Sequence, residues 1–454
     1  MAKTPMTRLT TATIGSILRA TAVALACAPM LAAGSVVSVR ILDVDGRWTG
    51  ATLRSVDERA WHIADGPNSA ERTIATDRVI AFLAQRPLAP TNPDATVSLE
   101  APSPISYGML ETQNGQLLPG TLRAGIDAMT WEHRWIGAIP LAIDNAATIR
   151  FRASRTLERR ADGDAILFAN GDIATGFVEK IGSDVLFEPL DAAAALGEDD
   201  GAAGAAKPAD LKPTDKPPAE QPKTRRIPIE RIAAIAFARA DATPALDGAR
   251  MWTIDGSVVG GRDLRYDASA GWSFALADPL LLKVRATRTT DNLAADPLAG
   301  VLDPSRMVPL AKLGAPKLSV PEGLFHYGSS TASRVGTPAR ALLGLAEVEL
   351  AGPIVARFEI PDALRPAGDE LVFSTDLVLA EPAPTDARVE VQIAFGKTRS
   401  ERVLLDAEHR RVSIAVRATA ADAKSIELTV TDGGNGIIGD RVQLERACII
   451  GARR

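Results

Sequence analysis

Apolar and polar residues alternate with a period of two along the last third of the chain. The segments VEVQIAF, RVSIAVR and SIELTVT place an apolar residue at every second position, from Val389, Val412 and Ile426 onward. The final run repeats the pattern, with a polar exception at Arg446. Its apolar face is expected to carry Val442, Leu444, Cys448 and Ile450. This period with one buried face predicts an antiparallel sandwich.

The first two thirds of the chain contain a repeat, which is introduced each time by a short turn. The four turns are DGRWTG at Asp45, NGQLLPG at Asn114, NGDIATG at Asn170 and DGSVVGG at Asp255. Asn-Gly and Asp-Gly favour tight hairpin turns because both residues tolerate a positive φ. Each turn leads into an alternating strand and then into a segment with bulky residues: AWHI, MTWEHRWI, VLFEPL or GWSFAL.

Three of the four units then close on related apolar strands. These are TIATDRVIAFLA, IPLAIDNAATIRFRA and IPIERIAAIAFAR. The pattern predicts units near residues 38–87, 105–155, 163–240 and 248–315, each either a small SH3-like or Sm-like barrel or a propeller blade. The expected fold is therefore all-β: tandem small antiparallel β-repeats over residues 35–319, followed by a jelly-roll β-sandwich over residues 320–454.

An inserted segment lengthens the third unit. Residues 191–224 are rich in Ala, Pro and charge, and they fall between the VLFEPL and IPIERI strands of that unit. Such a composition buries too little apolar surface to order itself, so a disordered loop is predicted here.

The first 34 residues have the pattern of a signal peptide. Lys3, Arg8 and Arg19 precede or flank the apolar stretch ATAVALACAPMLAAG, which ends in small residues. Cleavage near Ala33 or Gly34 is expected, and the protein is then periplasmic, cell-surface or extracellular. A short membrane anchor and a lipid-anchored Cys27 are the alternatives. No later segment is apolar for long enough to cross a membrane.

The net charge disfavours one class of partner, and the cysteine count excludes an internal disulfide in the mature chain. Removal of residues 1–34 lowers the net charge from −5 to −8, which disfavours binding to a nucleic-acid backbone. The mature chain keeps one cysteine, Cys448, so it forms no internal disulfide. Its apolar setting, ACII, predicts a small buried residue rather than a reactive thiol.

The stretch TDGGNGIIGDR carries the glycine spacing G-x-G-x-x-G at Gly434, Gly436 and Gly439. A dinucleotide-binding fold needs these glycines to open a helix that returns to a parallel strand, but a strand-like run follows and the sequence ends at Arg454. Nucleotide binding is therefore not expected. The spacing fits neither an EF-hand nor a calcium nonapeptide. If the loop folds back, the oxygens of Asp432, Asn435 and Asp440 could meet at one ligand, although hydrogen bonding within the turn is the simpler interpretation.

The same stretch resembles the end of the novel putative carbohydrate-binding module (NPCBM) family, which is a galactose-binding-like jelly roll. The matching positions are Asp432, Gly434, Asn435, Gly436, Asp440 and Ala447. An upstream segment, LLGLAEVELAGPIVARFEIP, is similar to the family's K-G-L-G-x-H-A region, and the whole resemblance covers roughly residues 320–450. Ala346 stands where the family often has His, and Leu444 replaces a late Trp. The resemblance implies a glycan-binding module, whose candidate ligand residues are Asp432, Asn435 and Asp440.

The aromatic residues leave the location of a sugar-binding surface open. Sugars usually stack on aromatic rings. All six tryptophans lie in the repeats, where they form either the cores of the units or a rim for stacking. They are Trp48, Trp61, Trp131, Trp135, Trp252 and Trp272. The module itself offers Phe325, Tyr327, Phe358, Phe373 and Phe395.

No motif for catalysis or for a cofactor is present in the sequence. His62, His133, His326 and His409 lack metal-ligand spacing and are expected to be surface or packing residues. We expect no catalytic residue, no metal and no cofactor, and neither nucleic acid nor nucleotide as a partner. The expected function is that of an exported, non-catalytic recognition or adhesion protein that binds a glycan or another envelope component. The alternatives are an envelope scaffold that binds protein partners through its repeats and an accessory part of a carbohydrate-active enzyme.

Overall fold

The computed structural model describes most of the chain after residue 36. The described residues are 37–66, 69–85, 108–124, 129–141, 143–152, 157, 159–190, 224–238, 248–276, 285–286, 297–320, 333–337, 341–381, 386–434 and 441–452. The predicted signal peptide and almost all of the predicted disordered insertion lie outside these ranges.

The repeats form four units of five strands each. Unit 1 contains β1–β5: Val37–Asp43, Trp48–Val56, Ala60–Ala64, Glu71–Ala75 and Val79–Gln85. Unit 2 contains β6–β10: Gly108–Thr112, Leu117–Ala124, Met129–His133, Gly137–Pro140 and Ala146–Arg150. Unit 3 contains β11–β15: Asp164–Phe168, Ile173–Ile181, Asp184–Pro189, Arg225–Pro228 and Ile232–Ala236. Unit 4 contains β16–β20: Ala249–Thr253, Val258–Asp267, Gly271–Leu276, Arg285–Ala286 and Pro297–Val301.

The glycine turns are hairpins between the first two strands of each unit, as the sequence predicts. The turn glycines Gly46, Gly115, Gly171 and Gly256 all have φ between 79° and 98°. A Cβ at such a φ is strained, so the turn needs glycine. These turns are the most reproducible feature of the repeat.

Each unit is a small barrel rather than a propeller blade. Four strands meander, and the fifth returns to pair with the first: β5 with β1, β10 with β6, β15 with β11, and β20 with β16. In the first three units, a 3₁₀ turn at Thr76–Arg78, Ile143–Asn145 or Ile229–Arg231 redirects the chain into this closing strand. A propeller blade is a four-stranded sheet, whereas the fifth strand here pairs with the first strand of its own unit.

The four units pair with one another through their closing strands. β5 of unit 1 pairs antiparallel with β20 of unit 4, and β10 of unit 2 pairs with β15 of unit 3. The first and last units therefore pair with each other, and the two units between them in the sequence form the other pair. All twenty strands join one continuous hydrogen-bonded sheet, which leaves the closing strands without free edges.

The predicted insertion joins two neighbouring strands of one unit. β13 and β14 pair antiparallel from Asp184 opposite Pro228 to Phe187 opposite Arg225. Residues 191–223, which lie outside the described residues, connect these strands, so the insertion extends a hairpin of unit 3.

The rest of the chain forms a two-sheet sandwich with strands β21–β32. These are Met307–Pro309, Lys317–Ser319, Ser333–Val335, Val348–Ala351, Ile354–Glu359, Glu370–Leu379, Val389–Phe395, Thr398–Arg399, Val403–Leu405, Arg411–Thr419, Ser425–Asp432 and Arg441–Ala452. One sheet has the order β23-β24-β32-β26-β30, with β21 also on β32, and the other has the order β22-β25-β31-β27-β28, with β29 also on β27. Every pairing among the described strands of the chain is antiparallel, and the described residues contain no α-helix. The all-β fold class is therefore confirmed.

The last strand corrects one part of the predicted pattern. A β-bulge sets Arg446 and Ala447 of β32 opposite the single residue Thr375 of β26, and Arg446 has a φ of 54°. The extra residue inverts the side on which all later side chains lie. Val442 and Leu444 face the sandwich core, whereas Cys448 and Ile450 face the opposite side, so the prediction of one shared face was wrong.

The outer face of this sheet packs against the repeats. The first turn docks there: the Ser374 hydroxyl donates to the Gly46 carbonyl at 2.6 Å, and a Cβ on Gly46 would lie 2.7 Å from Val372. The buried Arg306 also bridges the two regions, since its Nε donates to the Gly451 carbonyl at 3.0 Å and its Nη1 to the Asp77 carbonyl at 3.1 Å. The repeats and the sandwich thus share a continuous apolar core.

Cys448 is fully buried in this shared core, as predicted, and burial raises the pKa of its thiol to about 12. Within the described ranges, none of the helical segments has the length and hydropathy of a membrane span.

Candidate functional site

The three candidate ligand residues are only partly described. Asp432 is a half-buried residue at the end of β31, where it pairs with Val389 of β27. Asn435 and Asp440 lie outside the described residues. The convergence of the three oxygens on one ligand therefore stays a prediction.

The glycine stretch itself serves the backbone at the one motif glycine that is described. Gly434 has a φ of 90°, as expected for a residue that only glycine tolerates well. The stretch leads into the twelve-residue strand β32, where a dinucleotide-binding fold has a helix. The conformation of Gly434 agrees with the structural interpretation of the glycine spacing. Gly436 and Gly439 lie outside the described residues, so their roles and the expected lack of nucleotide binding stay predictions. No group of three or more His, Cys, Asp and Glu residues suited to a metal occurs within the described part of the chain.

The described aromatic residues that the sequence offers for sugar stacking are buried or half-buried in the protein. Phe358, Phe373 and Phe395 lie at most 1% exposed in the sandwich core, so they form no sugar platform. Phe325 and Tyr327 lie outside the described residues. Trp61, Trp131, Trp252 and Trp272 are buried and Trp48 and Trp135 are half-buried, so none of the six forms an exposed rim.

His133 is the one described histidine that lies fully inside the protein. Its Nδ1 accepts from the Ile136 amide at 3.2 Å, and its Nε2 faces Ser257 Oγ at 2.9 Å and Asp255 Oδ2 at 3.5 Å. Burial lowers the pKa of His133 to about 4, against a smaller raising effect of Asp255. His62 is half-buried and His409 is exposed, in line with surface or packing roles, and His326 lies outside the described residues.

This burial predicts a loss of stability in acid. A histidine whose folded pKa lies below its unfolded pKa of about 6.5 stabilises the fold above that pH, and the contribution is lost as the pH falls towards 4. We expect the free energy of unfolding to fall by up to about 3 kcal/mol over this window on account of His133. Urea unfolding at a series of pH values should show this slope in the wild type and in the exposed-residue control His409→Asn. A His133→Asn variant that kept the full slope would contradict the assignment.

A cavity lies at the junction of units 2 and 4 with the sandwich. Its volume is about 620 Å³, which is within the range of small-molecule sites. β16 brings Arg250 and Trp252 to its wall, and the 3₁₀ turn Leu310–Leu313 brings Lys312. We call this cavity the junction pocket; its other polar lining residues are Glu111, Thr148, Arg150 and Thr337. Its apolar wall includes Leu117, Leu157, Ile235, Val258, Val301, Met307 and Leu343.

The junction pocket is electropositive. Burial lowers the pKa of Arg250, with Glu111 acting in the opposite sense, and burial together with Arg250 lowers the pKa of Lys312. Arg250 donates from Nη2 to the Gly115 carbonyl at 2.5 Å, and its guanidinium carbon lies 5.8 Å from the centre of the Trp252 ring. Its Nε is buried without a hydrogen-bond partner in the described structure. Two cations that disfavour each other's charge in this way favour an anion between them.

The side chain of Glu111 is already engaged. Its Oε2 accepts from the Thr148 hydroxyl at 3.1 Å. Among the described residues that line the pocket, Glu111 is the one carboxylate, set against Arg150, Arg250 and Lys312. The arrangement can hold an anionic group and donate hydrogen bonds to it.

Sequence reasoning did not find the junction pocket. Its residues come from segments that are far apart along the chain, and no local motif marks them. The one available signal was the polar Arg250 in the apolar strand ARMWT, because a charge in a buried strand usually has a partner or a ligand.

Comparisons with known proteins give structural neighbours only. Neither the known protein families nor the curated proteins contain a match to this chain. Among solved structures, the chain is similar to a CBM51 module of Clostridium perfringens GH95 in complex with methyl-galactose (15% identity, 32% of this chain and 99% of that chain, TM-score 0.24). It is also similar to the tandem CBM51 modules of a family 98 glycoside hydrolase from Streptococcus pneumoniae (12% identity, 45% of this chain and 71% of that chain, TM-score 0.25). A third similar structure is the CBM22-1 xylan-binding domain of Paenibacillus barcinonensis Xyn10C (10% identity, 33% of this chain and 96% of that chain, TM-score 0.21).

These neighbours are carbohydrate-binding modules by name. Because these TM-scores are low, the fold and the candidate site are described from the structure of this chain alone. The resemblance to the NPCBM family in particular stays a prediction.

Proposed function

We propose that this protein is an exported, non-catalytic recognition protein that binds a small acidic saccharide in the junction pocket. The observation that carries the proposal is the pairing of Arg250 and Lys312 in one cavity with a mainly apolar wall. The protein as a whole is acidic, so this concentration of positive charge runs against its average composition.

The cations select for a carboxylate or a similar anion. An incoming anion would supply the buried Nε of Arg250 with an acceptor and would relieve the repulsion between Arg250 and Lys312. A charge-assisted hydrogen bond to a guanidinium in a partly buried site is about twice as strong as a neutral one. The anionic group is therefore expected to contribute much of the affinity.

The saccharide part of the proposal rests on the remaining polar groups and on the sequence resemblance. Thr148, Thr337 and Glu111 offer hydroxyl and carboxylate oxygens that match sugar hydroxyls, beside apolar side chains that match the faces of a ring. The resemblance of residues 320–450 to the NPCBM family points to the same ligand class.

The proposal of a non-catalytic role follows from the carboxylates. Glycoside hydrolysis usually requires two facing acids, and Glu111 is the one acid among the described lining residues. Export is proposed from the basic start of the chain and the short apolar stretch after it.

Binding can be measured by isothermal titration calorimetry on the mature chain. The probes are oligogalacturonate, the matched neutral galactose oligomer and inorganic phosphate. We expect the acidic oligomer to bind, and we expect Arg250→Gln or Lys312→Gln to weaken this binding by about tenfold or more. Lys317→Gln, which changes an exposed lysine outside the pocket, is the matched control and should leave the affinity unchanged.

The outcomes separate the parts of the proposal. Equal binding of the neutral oligomer would contradict the role of the cations. Binding of phosphate as tight as that of the oligomer would show an anion site without saccharide recognition. Binding that Arg250→Gln and Lys312→Gln leave intact would place the ligand elsewhere, and the loop with Asp432 would be the next candidate.

A second candidate function is a scaffold that binds a protein partner through the repeats. The specific observation in its favour is the exposed apolar surface of unit 3 that is described below. An accessory role beside a carbohydrate-active enzyme is compatible with either function.

A further inference from the structure

Among the described residues of the four units, large exposed apolar side chains occur in unit 3. Ile173 and Phe177 of β12 are each 47% exposed, and Leu190, directly after β13, is 45% exposed. Ile173 and Phe177 point to the same side of the alternating strand β12. The Leu190 amide donates to the Thr175 carbonyl of β12, which places Leu190 beside them. We call these three residues the unit 3 face.

The equivalent positions in the other units are buried or half-buried in contacts between units or with the sandwich. Ile173 is the second residue after the turn glycine, and its equivalents are Trp48, Leu117 and Val258 in units 1, 2 and 4. All three equivalents belong to the apolar core where units meet each other or the sandwich. In the described structure, the residue at this position lies exposed in unit 3 alone.

Units 2 and 4 show how two such positions meet. Leu117 of β7 pairs directly with Val258 of β17, and the two strands run antiparallel. Two side-chain hydrogen bonds flank this pair. Gln116 Oε1 of unit 2 accepts from the Gly260 amide of unit 4 at 3.1 Å, and the Asp255 carboxylate of unit 4 accepts from Trp135 Nε1 of unit 2 at 3.0 Å. Equivalent residues of two related units thus lie opposite each other on antiparallel strands.

Within one chain, the equivalent surfaces are already occupied. The turn of unit 1 covers the outer face of the sandwich at Val372 and Ser374, and units 2 and 4 cover each other. The pairing of units 2 and 4 is the precedent for contact between two such surfaces, and a second copy of unit 3 offers the same surface. A symmetric contact that uses the same patch on both partners closes as a dimer.

We propose that the unit 3 face binds a second copy of this chain, with Ile173 opposite Ile173 of the other copy across a twofold axis. The contact repeats the geometry of Leu117 and Val258. It differs at one polar position, because Asp172 stands where units 2 and 4 have Gln116 and Ser257. Two Asp172 carboxylates approach the axis, so they weaken the dimer in low salt.

A cysteine cross-link tests this geometry directly. Directly opposed strand residues have Cα atoms about 4.5–5.5 Å apart, which is within the range of a disulfide. In the mature chain, Ile173→Cys should form a disulfide-linked dimer under mild oxidation, whereas Leu318→Cys, an equally exposed apolar position on the sandwich, should not. The buried native Cys448 should stay unreactive, and its presence in both variants controls for it. Absence of the cross-link at Ile173, or equal cross-linking at Leu318, would overturn the proposal.

Sedimentation velocity on the full mature chain supplies an independent measurement. We expect a monomer–dimer equilibrium at micromolar concentration, which Phe177→Asp weakens by about 30-fold or more and Leu318→Asp leaves unchanged. Asp172→Asn should strengthen the dimer, an effect opposite in sign to that of Phe177→Asp. A chain that stays monomeric, or a dimer that is indifferent to Phe177→Asp and Asp172→Asn, would contradict the proposal. A dimer that forms only after deletion of residues 191–223 would also contradict it, because the insertion would then be the occupant of the face.

Discussion

Replacement of Asp376 with alanine is expected to lower the free energy of unfolding by about 3–5 kcal/mol, because it leaves the buried Arg446 without its counter-charge. The Asp376 carboxylate is 1% exposed and forms an ion pair with Arg446. It also accepts from Arg411 Nη1 at 3.0 Å and from the Ser413 hydroxyl at 2.7 Å. Burial, together with neighbouring Arg40, already lowers the pKa of Arg446 to about 10.

Urea unfolding of the protein at neutral pH measures this loss. Asp45→Ala is the matched control, because it removes an ion pair of Arg417 at the same interface from a carboxylate that is more than a third exposed. We expect that control to cost at most about 1 kcal/mol. The double variant Asp376→Leu with Arg446→Leu should recover part of the loss, since it removes both charges together. A single Asp376→Ala variant as stable as the wild type would show that the ion pair is not buried in solution.

The second large effect is expected from Trp61→Ala, which should cost about 3–5 kcal/mol. Trp61 is fully buried in unit 1, and its ring lies 5.2 Å from that of Phe82 and 6.1 Å from that of Trp272 of unit 4. Phe82 and Trp272 stack on each other at 5.1 Å. The cluster therefore joins the first and last barrels, and its loss should destabilise both.

Trp61→Phe is the informative comparison. The indole Nε1 of Trp61 is buried without a hydrogen-bond partner in the described structure. Phenylalanine keeps most of the apolar contact and removes this unsatisfied donor, so the two effects partly offset each other. We expect Trp61→Phe to cost less than half as much as Trp61→Ala in the same urea measurement. Equal losses would show that the indole N–H has a partner after all.

The local parts of the fold follow from the sequence because their causes are local. An Asx-Gly pair sets a positive φ at Gly46, Gly115, Gly171 and Gly256 regardless of what lies around the turn. In the sandwich, strict alternation specifies the buried face of β27 and β31. The positions of these turns and the buried faces of these strands were therefore predictable. The closing segment of a unit, expected as one strand, is instead two strands joined by a 3₁₀ turn, as at Thr76–Arg78.

The last strand shows where this reasoning ends. Arg446 looked like a polar exception on an otherwise regular face. The structure shows that it marks a bulge, after which Cys448 and Ile450 turn away from the sandwich and towards the repeats. Alternation alone cannot distinguish an exception from a change of register, because both place one polar residue in an apolar row.

The candidate site was unpredictable for a related reason. Arg250, Lys312 and Glu111 meet because β5 pairs with β20 and the turn of unit 2 meets unit 4, and neither contact leaves a trace in local composition. The loop with Asp432 was visible through its glycines. The junction pocket depends on contacts between units, which a single sequence does not record.

The first unit pairs with the last one through their closing strands, which determines when each unit can complete its contacts during synthesis. β5 ends at Gln85, but its partner β20 starts only at Pro297, and the sandwich surface that receives the first turn is made later still. The first barrel to leave the ribosome is thus the last to find all its partners, and until then it has an open strand edge and a half-buried Trp48 without its cover. Such distant pairing slows folding and exposes intermediates to aggregation. A nascent chain that stops before residue 297 would therefore be a substrate for chaperones and proteases rather than a stable shorter protein.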